Sequence, residues 1–83
     1  MKTADICRTL LNILADTDGH PLAEDILQEH LNARLRPVPP KAQFDDAMVI
    51  LKAEGYIKAM GGDFGAEDAK WHITERGIAK LQS

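Results

Sequence analysis

The chain has little cysteine, no long apolar run and no surplus of positive charge, and each lack narrows what it can be. Cys7 is the only cysteine, so no disulfide can form within the chain. The simplest expectation is a reducing cytoplasmic setting and a core that needs no covalent staples. No stretch approaches the roughly 20 apolar residues of a membrane-spanning helix. Met1-Lys2-Thr3-Ala4-Asp5 runs straight into a mixed polar and apolar helix, without the pattern of a signal peptide. Neither a membrane nor an export route is therefore expected. The net charge is −3, which weighs against nucleic acid, because affinity for a phosphate backbone comes largely from Lys and Arg. The imbalance is spread along the chain: four basic residues face six acidic ones in 1–36, and six face seven in 37–83. Chemistry-bearing motifs are missing as well. There is no G-x-S-x-G, phosphate-binding loop or dinucleotide fingerprint. His20, His30, His72 and Cys7 show no zinc-type spacing. No enzyme activity, cofactor or metal is expected.

What remains is an ordinary single domain spanning 1–83. It is 45% apolar, enough for a core, although a chain of this size buries only about 60–65% of its unfolded surface. Thr3–Asp16 reads as an amphipathic helix, with Ile6, Leu10, Ile13 and Leu14 as its stripe, Cys7 and Leu11 beside it and Thr3 as N-cap. Asp16 to Pro21 is a turn by composition. Leu22 to about Leu35 reads as a second helix, burying Ile26, Leu27, Leu31 and Leu35. Pro37-Val38-Pro39-Pro40 ends it. Lys41–Glu54 is a third helix, with Phe44, Ala47, Met48 and Leu51 at i, i+3, i+4 and i+7. Gly55 fits its C′ position, which calls for a positive φ. Tyr56–Met60 and Lys70–Ile73 read as strands joined by a glycine-rich loop, Gly61 to Asp68, with Trp71 and Ile73 on one face and His72 on the other. Thr74 would cap a last helix whose Ile78 and Leu81 point inward.

Two segments carry a resemblance. Phe44-x-x-Ala47-Met48-x-x-Leu51-x-x-x-Gly55-Tyr56-Ile57 is similar to the third helix and first wing strand of the winged helix-turn-helix family of bacterial regulators. Trp71-His72-Ile73-Thr74-Glu75-Arg76-Gly77-Ile78-Ala79-Lys80-Leu81 is similar to the second wing strand and the helix after it. Together they cover about half the chain. The resemblance implies an α+β fold of the small winged-helix kind: a three-helix bundle, a two-stranded β-hairpin wing and a C-terminal helix. It also implies Gly77 as a point of close approach for that last helix.

For function, the resemblance implies first a DNA-binding transcriptional regulator, its third helix entering the major groove of double-stranded DNA. Arg34, Arg36 and Lys41 around the Pro-rich turn, and Lys58 and Lys70 at the base of the wing, would then meet phosphates, and Gln43 would pair with adenine. The charges favour an alternative, a winged helix that binds another protein. Asp45 and Asp46 stand on the helix that should face the polyanion, and Asp63, Glu67 and Asp68 make the wing acidic. In that reading Asp45, Asp46, Val49, Ile50 and Phe64 form the docking surface. The family also implies a homodimer through the terminal helices, where Cys7 and Leu11 offer a second apolar strip.

Overall fold

The computed structural model describes residues 2–17, 20–61 and 69–82. In chain order it contains α1 (Thr3–Asp16), β1 (Leu22–Ala23), α2 (Glu24–Arg34), α3 (Lys41–Ala53), β2 (Ile57–Gly61), β3 (Ala69–Ile73) and α4 (Glu75–Gln82). The described residues form a small α+β domain of four helices and a three-stranded antiparallel sheet in the order β1-β3-β2. None of these helices is long and apolar enough to cross a membrane.

α1 is the hub. Ile6, Leu10, Leu11, Ile13 and Leu14 are buried along it, and it packs against each of the other helices and against β3. Full burial of such side chains is worth about 1.5–3 kcal/mol apiece. A Leu10→Ala change at this fully buried position would cost about 2–5 kcal/mol. Leu27 and Leu31 from α2, Phe44, Ala47, Met48 and Leu51 from α3, and Ile57 and Ile73 from the sheet complete the core, with Trp71, Leu22 and Leu81 packed on its margin.

Several sequence expectations need correction. Leu22 and Ala23 do not begin α2. They form β1, opposite Trp71 and Lys70 of β3, so the hairpin carries a third strand. Ile26, expected to be buried, is 38% exposed, because α2 turns only Leu27 and Leu31 fully inward. Ile78 is likewise exposed at 43%, while Leu81 from the same helix does pack on the core. The N-cap of α1 is Lys2, with no side-chain cap bond, and Thr3 is already helical. Residues 62–68 of the expected loop lie outside the described residues.

The α3–β2 corner has a definite cause. Gly55 adopts φ +77°, in the left-handed region that costs a side-chain-bearing residue about 1–2 kcal/mol. Its N–H donates to Lys52 O at 3.1 Å, and Tyr56 N–H donates to Leu51 O at 2.9 Å. This pair of bonds is the Schellman arrangement that satisfies the last carbonyls of a helix. Thr74 then ties the start of α4 to the same corner. Its hydroxyl donates to Gly55 O at 2.6 Å and accepts from Gly77 N–H at 3.2 Å, and its N–H donates to Tyr56 O at 3.0 Å.

Candidate interaction surfaces

α3 divides the surface into two concave regions because its inward residues are fixed in the core. Phe44, Ala47, Met48 and Leu51 point inward, which leaves Val49 on one flank and Ile50 on the other, 66% and 44% exposed. Val49 lines a hollow of about 290 Å³ with Met48, Asp45, Glu24 of α2, Lys52 and Trp71 of β3. Ile50 lines a separate groove of about 430 Å³ formed with α1, Tyr56 and α4. The two anchors expected to share one docking patch are therefore parted, and Phe64, expected beside them, lies outside the described residues.

The expected basic cluster is also divided. Lys41 is ion-paired to Asp45 one turn along α3, with Nζ 3.1 Å from Oδ1. Arg34 reaches back to Asp16 of α1 at 3.3 Å. Exposed pairs like these contribute only about 0.2–1 kcal/mol to stability, but they place a carboxylate beside each cation. Arg36 is exposed. Gln43 is half-buried, less open to a base edge than its position in the sequence implies. Asp46 is exposed, and Asp45 lines the same hollow as Trp71. Lys52 Nζ stands 5.9 Å from the Trp71 ring centroid, a cation–π distance.

On the outer face of the sheet, among the described residues, Lys58 and Lys70 stand without carboxylates from their own strands. Strand alternation puts Ile57, Ile73 and Trp71 toward the core and Lys58, Met60, Lys70 and His72 on the other side. Lys58 lies opposite His72, and Met60 opposite Lys70. The wing acids Asp63, Glu67 and Asp68 lie outside the described residues.

Among the described residues, no three His, Cys, Asp or Glu side chains stand together where they could hold a metal. His20 and His30 are exposed, and His72 Nδ1 lies 3.1 Å from the neighbouring Ile73 carbonyl. Cys7 is half-buried in the groove wall, its Sγ donating weakly to Ala47 O at 3.8 Å. Desolvation pushes its thiol above the ordinary value of 9.0, against a smaller opposing effect of a backbone hydrogen bond. A thiol held neutral in this way is a poor nucleophile and metal ligand.

The hollow and the groove are each apolar at the base, with Met48 and Trp71 in one and Leu11 and Leu51 in the other, and charged at the rim. The chain is, by its architecture, a small α+β domain with two such surfaces. Comparison of the chain with protein-family models, curated proteins and solved structures finds no match.

Proposed function

We propose that the chain is a winged-helix binding module that docks another protein through the outward face of α3. The element order α1-β1-α2-α3-β2-β3, the sheet order β1-β3-β2 and the exposed outer side of α3 support the winged-helix reading. The observation that carries the protein reading is the charge of that face. Lys41 is held by Asp45, Asp46 is open to solvent, and Glu24 with Asp45 outnumbers Lys52 around the hollow floored by Met48 and Trp71. A DNA phosphate brought here would meet carboxylates. A segment carrying Lys or Arg beside an apolar side chain would find both complements. The cytoplasm is the expected setting.

A second reading, a DNA-binding transcriptional regulator, is favoured by Lys58 and Lys70 on the outer face of the sheet and by exposed Arg36. Anisotropy titration with random-sequence duplex at low salt separates the two. The protein-docking reading expects no binding by the parent chain at micromolar concentration. It also expects a short Lys/Leu peptide to bind, and to lose at least tenfold in affinity to Asp45→Lys with Asp46→Lys. Tight binding of the duplex by the parent would transfer the function to DNA.

A further inference from the structure

The groove on the Ile50 side of α3 has a character opposite to that of the hollow. Its base is Leu11 and Leu51, and its apolar walls include Ala4 and Cys7 of α1, Ile50 of α3 and Leu81 of α4. Among the described residues, the two charged side chains lining it, Arg8 and Lys80, are both cationic, on a chain whose net charge is −3. The α1 wall runs from Thr3 to Leu11, about 12 Å or two helical turns at 1.5 Å per residue. A volume of about 430 Å³ falls in the range of binding sites, and two turns is the span over which one helix face presents anchors at i, i+3 or i+4, and i+7.

The rim charge selects the occupant. In a two-fold dimer the same patch meets itself, so a second copy seated here would bring Arg8 and Lys80 toward their own counterparts. From this charge, length and volume we infer that the groove is a second docking site, distinct from the hollow on the Val49 side of α3, for an amphipathic helix of a partner protein that carries carboxylates beside its apolar stripe. The apolar side chains enter between α1 and α4 over Leu11 and Leu51, and the carboxylates meet Arg8 and Lys80 at the edges.

The test uses a synthetic helical peptide with Leu at i, i+4 and i+7 flanked by Glu, and a control in which each Glu is Gln. Anisotropy should show the acidic peptide binding at least tenfold more tightly than the control. Because Cys7 is the only thiol and lines the groove, bound peptide should slow its reaction with a thiol reagent several-fold. Arg8→Glu with Lys80→Glu, both at exposed positions, should cut affinity at least tenfold, and Ala4→Trp, which fills the groove from an exposed position, should abolish binding. Arg8→Gln alone gives a milder loss if the double variant melts early. Asp45→Lys with Asp46→Lys should leave this binding unchanged, which keeps failure here separate from failure at the α3 face. Equal affinity for the two peptides, or Cys7 labelling unaffected by peptide, overturns the proposal. Protection of Cys7 by decanoate in the absence of peptide binding would make the occupant a small amphipathic acid and overturn it too. So would a concentration-dependent dimer that Ala4→Trp dissolves, which would make it a second copy.

Discussion

A hydrogen in place of a methyl group at Gly77 sets how closely α4 approaches the rest of the domain. A Cβ there would collide with the Tyr56 carbonyl oxygen and come within 2.7 Å of Ile73 Cγ1. One of these neighbours is backbone, already bonded to Thr74 N–H, and cannot swing aside. Alanine favours a helix over glycine by about 1 kcal/mol, yet overpacking of this kind costs about 1–3 kcal/mol, and the rigid neighbour places the effect at the upper end. Gly77→Ala should therefore lower the urea midpoint, and an unchanged or raised midpoint would show that α4 can shift at no cost. Cys7 gives a prediction in pH. Its folded thiol titrates above the ordinary 9.0 because burial disfavours the thiolate. The folded state thus retains the proton longer than the unfolded chain does. The associated stability is fully present below about 9, and is lost as pH rises through the higher folded value. Alkylation rates of the native chain should rise at higher pH than those of the urea-unfolded chain. Coincident profiles would mean that the thiol is open to water.

At the scale of elements, β3 is the piece on which the others converge. Trp71 packs on the core margin, faces Leu22 and Ala59 across the sheet and forms a wall of the hollow. Trp71→Ala should cost less than the roughly 3–5 kcal/mol of a fully buried ring, because Trp71 is only partly buried, yet still lower the melting temperature, and a parent-like melt would mean that the ring contributes little packing. The helices were legible because apolar side chains recur at 3.6-residue spacing: Ile6, Leu10 and Ile13 fix α1, and Phe44, Ala47, Met48 and Leu51 fix α3. The Gly55 corner was legible because few residues other than glycine enter the left-handed region. β1 was not, since two residues hold no period, and Leu22-Ala23 continues without a break into the helical pattern of α2. Ile26 and Ile78 were misjudged for a related reason. A short helix shows its neighbours a narrow stripe, and sequence spacing does not say which edge of that stripe is covered. The parting of Val49 from Ile50 follows from the same geometry, because adjacent residues on a helix diverge by about 100° around its axis.

At the scale of the whole molecule, charge is arranged by side. On the α3 face the carboxylates Asp45, Asp46 and Glu24 outnumber Lys41 and Lys52, while Arg8 and Lys80 line the groove and Lys58 and Lys70 share the outer sheet face. A net charge of −3 therefore says little about what any one face attracts. The DNA titration has a whole-molecule form. Each phosphate neutralised adds about −0.9 to the slope of log affinity against log salt, so Asp45→Lys with Asp46→Lys, which changes the α3 face by four charges, should raise duplex affinity and steepen its salt dependence relative to the parent. The sheet order has a consequence in time. β1 and β2 flank β3, yet β1 precedes α2 and β3 follows α3. The pairing of Leu22 with Trp71 joins distant parts of the chain, and closing so large a loop carries an entropy cost that local helix contacts escape. During synthesis α1, α2 and α3 can collapse on one another early. β1 must wait, its hydrogen-bonding edge unpaired, until β3 has emerged.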